Sequence, residues 1–557
     1  MAEREERFIG QLLVNAGIIS PEDLEKALVE HKRTGEFLAT TVVKMKLAPE
    51  EAVFSILGEQ IGVPYINLRK IEPDAQALEK VPARFALHYK IFPVKLYDNN
   101  LEIAISDPLN IQALDDIRLL LNLDVKPYLA YEETIMDMIR RYYGLGAGTV
   151  EGLQKRQKEE PVSVKVEEAV EDSSIINFVN QILTQAIEDR ATDVHIEPFE
   201  DELRVRYRID GILHNMPLPQ GAKQFQSAIT SRIKIMANLN IAEKRLPQDG
   251  KIVFKYKDQE YDLRVSTLPT PEGESIDIRI LSKTMLFSLG DLGLLEEDYH
   301  ILESLLKKPN GIIFVTGPTG SGKTTTLYAC LQKLNTQDRK IITIEDPIEY
   351  RIKGITQIQV HPKIGLTFAQ GLRSILRHDP DIILIGEVRD IETAEIAIRA
   401  SLTGHLVFST LHTNDAASGV TRLLDMGIEP YLIASSVECF IAQRLVRVLC
   451  NKCKYKEEIS PKLAKIFSAE EGLEIYNAKG CEECKYTKYK GRTAIYEFLP
   501  LKPEIKELIL KRASSDQIKK TAVKLGMRTL KMEGWEKIKA GLTTCEEVLR
   551  VVAEEEG

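Results

Sequence analysis

Residues 317–324 read Gly-Pro-Thr-Gly-Ser-Gly-Lys-Thr and meet the full G-x-x-x-x-G-K-[ST] pattern. Gly317, Gly320 and Gly322 let the backbone wrap so that successive N–H groups, with a helix N-terminus behind them, face a triphosphate. Lys323 adds a point charge at the β/γ oxygens. Thr324 is expected to hold Mg2+ through its hydroxyl, and Pro318, Thr319, Ser321 and Thr325 complete the cradle. Two acidic segments follow. Glu345, Asp346 and Glu349 stand in IITIEDPIEY, and Gly386 and Glu387 end the apolar run Ile382–Ile385 of DPDIILIGEVRD. A carboxylate at a strand end opposite such a loop polarises an attacking water, and a second orients Mg2+ through its hydration shell. The competing reading is that these acids cap helices or pair with Arg389.

Cys450, Cys453, Cys481 and Cys484 form two C-x-x-C pairs. Each pair presents two thiolates from one tight turn to a tetrahedral ion, which reads as a structural zinc site. A redox pair is the alternative, and the second identical pair disfavours it. Cys330, Cys439 and Cys545 lie among apolar or helical residues and are expected to be small buried side chains.

These groups need a scaffold. GIIFVTG, KIITIEDP, DIILIGEV and HLVFSTLH are short apolar strands alternating with helical segments, the signature of a doubly wound α/β domain, and the P-loop follows the first of them directly. Upstream, SSIINFVNQILTQAIEDR reads as one amphipathic helix followed by alternating strands. The stretch 146–170, rich in charge and Gly, has a linker composition. Residues 8–31 and 37–60 align as a tandem repeat of paired short helices, matching Ile9 with Leu38, Leu13 with Val42, Leu24 with Val53 and Leu28 with Leu57. The expected domains are 1–67, a helical repeat; 68–145, a small α/β unit with a helix at IQALDDIRLLL; 146–170, a linker; 171–285, an α/β domain; 286–445, the P-loop domain; 446–490, the zinc element; and 491–557, a helical C-terminal region.

A chain of 557 residues with 44% apolar and 28% charged residues is that of a soluble multidomain protein. It carries no apolar run near the ~20 residues of a membrane span. With MAEREERFIG at its start it is expected to stay in the cytoplasm. A net charge of −9 disfavours a general nucleic-acid footprint, so direct nucleic-acid binding is not expected.

In combination and order, GPTGSGKTT, TIEDPIE, LRHDPDIILIGEVRDIETA and GHLVFSTLHTNDA make the chain resemble the type II/IV secretion ATPases, the pilus-assembly, pilus-retraction and type II secretion motors. The resemblance covers residues 1–557. It implies an α/β multidomain fold in which a RecA-like P-loop ATPase core is preceded by an α+β PAS-like domain and an α/β N-terminal docking region, with a tetra-Cys zinc element. It implies ATP and Mg2+ as ligands, Glu387 as general base and Glu345 as a positioner of Mg2+ and water. Gly386 matches the family's replacement of a Mg-binding Asp. His405 and His412 match its histidine box and would report the γ-phosphate. Arg208 and Arg232, with Arg245 and Arg264 as secondary matches, would reach across the nucleotide cleft, where surface salt bridging is the competing explanation. The implied assembly is a homohexamer working with an inner-membrane platform protein and cytoplasmic assembly proteins of a pilus or secretion machine. The zinc insertion points to assembly or secretion motors rather than retraction motors. The repeat resembles a cyclic di-GMP-binding module whose copies begin Arg-Leu-Gly. Here Phe8 and Phe37 replace the arginines, Ala39 the second glycine and His31 the first glutamine. Without guanidinium groups cyclic di-GMP is not expected to bind, and docking is the favoured role. A nucleic-acid translocase and a non-hydrolysing nucleotide switch are the other classes. The acidic balance argues against the first, and Lys323 with Glu387 against the second.

Overall fold

The structure, a computed structural model, describes residues 2–34, 36–108, 123–144, 173–219, 221–282 and 288–552, with positions 114, 117, 118, 121 and 147. The expected linker 146–170, apart from Ala147, and most of the helix expected at 111–121 lie outside the described residues. The chain divides into two compact units, Met1–Leu281 and Ser282–Gly557.

In the first unit, the repeat forms two helix pairs, Ala2–Asn15 with Pro21–Thr34 and Leu38–Lys44 with Glu50–Ile61. The matched apolar positions explain the pairing: Ile9, Leu13, Leu38, Val42, Val53 and Leu57 are buried, and Leu24 and Leu28 pack against them. A three-stranded sheet follows, its first two strands Ile91–Tyr97 and Asn100–Ile105 antiparallel and Asp124–Leu129 added in parallel. One continuous apolar cluster runs through the helical repeat and this sheet.

The same unit carries a six-stranded sheet in the order Ile212–Met216, Leu203–Ile209, Ala191–Pro198, Gly273–Ser282, Gln259–Thr270, Gln248–Tyr256. Strand Leu203–Ile209 alternates buried and half-buried positions, and its buried Val205 and Tyr207 join a core with Phe178, Ile182 and Ile229 of the helices Ser173–Glu188 and Gln226–Met236. This is a one-face α+β layer packing.

The second unit is built on a seven-stranded sheet ordered Thr356–Gln359, Ile341–Glu345, Ile382–Ile385, Leu406–Leu411, Gly311–Thr316, Val437–Leu449, Tyr489–Pro500. All neighbours run parallel except the last pair. Parallel strands covered by helices on both faces must be apolar throughout, and Gly311–Thr316, Leu406–Leu411 and Ile382–Ile385 are buried at every residue. Their alternate side chains divide between two cores. Ile312, Phe314, Ile383, Ile385 and Val407 enter one, and Ile313, Val315, Ile382, Leu384 and Phe408 the other. The C-terminal region expected to be helical from residue 491 begins instead with a strand, Tyr489–Pro500, that completes this sheet before the helices from Pro503 onward. It pairs antiparallel with Val437–Leu449, and its residues 494–499 are all buried. The cysteine segment is therefore an insertion between two neighbouring strands.

Candidate functional site

The phosphate loop leaves the carboxyl end of Gly311–Thr316 and enters the helix Lys323–Leu334. That is where open parallel sheets bind ligands. Gly317 has φ 148°, and a Cβ there would lie 2.6 Å from the Gln443 carbonyl and 2.7 Å from Ser321 Oγ, so no larger residue fits. Thr319 and Gly320 are exposed at the loop's tip, and Pro318, Gly322, Thr324 and Thr325 are half-buried. Lys323 is folded over the loop, its Nζ donating to the carbonyls of Gly317 (2.8 Å) and Pro318 (3.0 Å). Burial pulls its ammonium down to about 8, with Glu387 working against that shift and Arg444 adding to it. Ser321 Oγ is buried with no hydrogen-bond partner among the described residues. A loop with an unmatched hydroxyl, a buried ammonium and the free N–H groups of a helix start suits a phosphate chain. The Thr324 hydroxyl in the first helical turn suits its Mg2+.

Glu387 stands just past Ile382–Ile385, its carboxylate largely buried. One oxygen pairs with Arg389 Nη2, and the other lies 3.2 Å from His412 Nε2. The Arg389 pairing offered as the competing reading is thus present at Glu387. Gly386 is needed for close approach, since its N–H donates to the Ile344 carbonyl at 2.8 Å and a Cβ would stand 3.3 Å from the Glu345 Cα.

Glu345 is placed differently from Glu387. It is 4% exposed. Thr343 Oγ1 (2.5 Å) and Gln357 Nε2 (3.2 Å) donate to one carboxylate oxygen and Tyr328 Oη to the other. The carboxylate is held against the P-loop helix through Tyr328, while Asp346 is the exposed acid of that segment. Burial beside Glu345 pushes the Tyr328 phenol well up, so it stays a donor.

The two histidines are separated. His412 follows the carboxyl end of Leu406–Leu411 and meets Glu387, but His405 precedes the amino end of that strand, where its carbonyl accepts from the Gly311 N–H. Gly311 begins the strand that the P-loop ends, and the two strands run parallel with Gly311 opposite Leu406. At ~3.3 Å per residue, His405 lies roughly 20 Å from the loop within the subunit. The structure corrects the expectation that both histidines share the nucleotide site. His405 Nδ1 is instead 2.8 Å from the Ala400 carbonyl at the end of a helix.

Arg208 and Arg232 belong to the first unit. Arg208 Nη1 donates to the Gly211 carbonyl at 3.2 Å and its Nε lies 3.7 Å from Asp193, whose other oxygen pairs with Arg279 at 2.9 Å. Arg232 Nε is buried with no hydrogen-bond partner among the described residues. Arg245 is an exposed ion pair with Glu243, and Arg264 is half-buried opposite Lys251 in a hairpin.

The four cysteine sulfurs converge within 4.8 Å of one another. Cys450–Cys481 are 3.7 Å apart, and Cys453–Cys484 and Cys481–Cys484 are both 3.8 Å. A tetrahedral ion with Zn–S of ~2.3 Å requires sulfurs ~3.8 Å apart, so the donor set fits zinc. Cys330, Cys439 and Cys545 are fully buried, and burial raises all three thiols.

The sequence reading missed Arg444, Tyr328, Thr343 and Gln357. Arg444 left one trace, a Gln-Arg pair that interrupts the apolar runs Cys439–Ala442 and Leu445–Val446 of the strand Val437–Leu449. The others read as ordinary helix and strand residues.

A model of the type II/IV secretion system protein family matches residues 168–550, and a model of the MshEN domain matches residues 61–149. The Type IV pilus assembly ATPase PilB of Myxococcus xanthus is 42% identical over 556 residues, 97% of this chain and 98% of that protein. The Type II secretion system protein E of Xanthomonas campestris is 42% identical over 563 residues, 98% of each. The X-ray structure of the Legionella pneumophila ATPase DotB superposes with a TM-score of 0.51 at 22% identity, over 68% of this chain and 96% of that one, and shares the fold.

Proposed function

We propose, for a chain that belongs to the type II/IV secretion system protein family and is an ATP-hydrolysing enzyme of pilus assembly or type II secretion, that hydrolysis is turned into motion by a ring of six subunits at the inner membrane. The observation that supports this reading best is the placement of Lys323, folded over the phosphate loop, and of Glu387 beyond the carboxyl ends of strands of one parallel sheet. The loop amides and Lys323 bind and neutralise the β/γ-phosphates. Glu387, oriented by Arg389 and His412, accepts the proton of the attacking water. Thr324 would hold Mg2+, which would supply Lewis-acid polarisation of the phosphates.

A γ-phosphate transition state needs further positive charge, which we assign to Arg208 and Arg232. Glu345, fastened to the P-loop helix through Tyr328, orients the Mg2+ and water side of the site indirectly. In a ring, subunits with ATP, ADP or no nucleotide differ in how the arginine-bearing domain closes, and hydrolysis becomes a sequence of rotations that extends a pilus or pseudopilus through a membrane-platform protein. No helix among the described residues is long and apolar enough to cross a membrane, and in this reading the machine's other proteins hold the chain at the membrane. The N-terminal repeat serves as docking surface, and Phe37, partly buried in that unit's core, leaves no guanidinium for a cyclic dinucleotide.

Phosphate release by the purified full chain with Mg-ATP, measured beside sedimentation velocity, tests the reading. Activity is expected to rise more steeply than linearly with protein concentration as hexamers form. Full specific activity in a monomer rules out the ring mechanism, and Lys323→Ala is expected to weaken nucleotide binding itself.

A further inference from the structure

Arg444 is a second cation buried at the phosphate loop, outside every motif that identifies the loop. It lies on Val437–Leu449, the strand parallel to Gly311–Thr316, and Ala442 is opposite Thr316. Two residues further on, the side chain passes the end of the P-loop strand, and its Nη1 lies 3.0 Å from the place a Cβ on Gly317 would take. Nη1 also donates to the Gln443 carbonyl at 3.1 Å, and Nη2 donates to the Asn414 carbonyl at 2.7 Å. Asn414 is two residues beyond His412, whose Nε2 is 3.2 Å from the Glu387 carboxylate. The intervening Thr413 is tied to the last residue of the P-loop strand, its N–H donating to Thr316 Oγ1 at 3.0 Å. Arg444 thus lies close against Gly317 of the phosphate loop and is hydrogen-bonded through Nη2 to the segment that carries the histidine of the general base.

We propose that Arg444 is a positioning residue for hydrolysis: its planar fork holds the 412–414 segment in register with the phosphate loop, so that His412 keeps Glu387 aimed at the attacking water. The inference rests on the ATPase reading above. A guanidinium 3% exposed carries a large desolvation cost, and here it stands near another buried cation, Lys323. Glu387, which raises the Lys323 ammonium, is itself engaged by Arg389 and His412. A lysine at 444 could keep the charge but not the planar fork that donates at once to Gln443 and Asn414, because an ammonium has no fixed plane of donors.

The test uses the full chain as wild type, Arg444→Met, Arg444→Lys, His412→Ala and the double variant Arg444→Met/His412→Ala. Steady-state kcat and KM for Mg-ATP are measured, with sites counted by a fluorescent ATP analogue. Per binding-competent site, Arg444→Met is expected to lower kcat roughly tenfold to a hundredfold while KM changes less than about threefold. Arg444→Lys is expected to stay well below wild type. Because both residues act on Glu387 through one segment, the double variant is expected to be within about threefold of the slower single variant. An active wild type with unchanged kcat in Arg444→Met overturns the inference alone. So do losses that multiply in the double variant, a full rescue by Arg444→Lys, or a loss that disappears once competent sites are counted. A wild type that hydrolyses no ATP overturns the inference together with the reading beneath it.

Discussion

Chelation is expected to release the two ends of the four-cysteine element, whose sulfurs fit zinc, and to leave its middle in place. The middle is anchored by ordinary packing: Ile459, Ala464, Phe467 and Ile475 belong to the large core of the second unit, and Phe467 stacks on Trp535 with ring centroids 5.1 Å apart. The cysteine ends have far less, a cluster of Leu449, Ala478 and Tyr489 flanked by Cys453 and Tyr476. Burying its two large side chains, Leu449 and Tyr489, contributes about 3–6 kcal/mol at roughly 1.5–3 kcal/mol each. Ordering the ten residues 479–488 costs about 10–20 kcal/mol at roughly 1–2 kcal/mol per residue. The difference is about the 10–16 kcal/mol that a four-thiolate zinc site supplies. Metal analysis after purification without chelators is expected to give about one zinc per chain. Hydrogen exchange after chelation should then show lost protection at 450–454 and 478–490 while 459–475 stays protected. Metal-free protein with the same protection at both ends would refute the reasoning, and equal loss across the whole element would refute the division between ends and middle.

Glu387→Gln should keep ATP binding and lose turnover by roughly a hundredfold or more, since the amide has the carboxylate's shape without its proton affinity; phosphate release near the wild-type rate contradicts this. Arg208→Ala or Arg232→Ala is expected to cut turnover by about a hundredfold or more with ATP affinity largely intact, and a double variant with normal turnover removes both from the mechanism. Glu533, buried against Asp298, Arg528 and Lys537, has its carboxyl raised from 4.5 to about 8 by burial first and Asp298 second. The folded state therefore holds a proton the unfolded chain releases, so the stability present below 4.5 is lost as pH rises through about 8. Lys537, whose ammonium burial lowers, opposes this at higher pH. Thermal melts across that window should fall by at least ~2 °C and flatten in Glu533→Gln, and an unchanged slope in that variant is the contrary result. Calorimetry of the full chain is expected to detect no submicromolar cyclic di-GMP binding, and a clear submicromolar isotherm would restore the repeat as a ligand site.

How much of this was legible depended on whether the chemistry is local in the chain. A phosphate loop is made by the backbone of eight consecutive residues, 317–324, with a strand before and a helix after. Letters and spacing therefore suffice to find it. The paired cysteines are local in the same sense, since each C-x-x-C turn brings its own two sulfurs together. The buried parallel strands announce themselves because both faces must be apolar, and the tandem repeat shows because equivalent helix pairs bury equivalent positions.

What the sequence alone determined, then, is the class of chemistry and the elements that carry it: nucleotide loop, acid-tipped strands, tetra-Cys insertion, helical repeat. Tertiary structure decided which distant residues share a site. His405 and His412 stand in one short motif, yet the fully extended strand between them sends them to opposite edges of the sheet. Glu345 and Glu387 both follow apolar strands, yet Tyr328 and Gln357, brought from a helix and an edge strand, bury the first, while Arg389 and His412 frame the second. Arg444 follows the phosphate loop by more than a hundred residues and touches it because two strands pair in parallel with Thr316 opposite Ala442. Strand order and register arise from the burial of many side chains at once, and no window of sequence contains that sum.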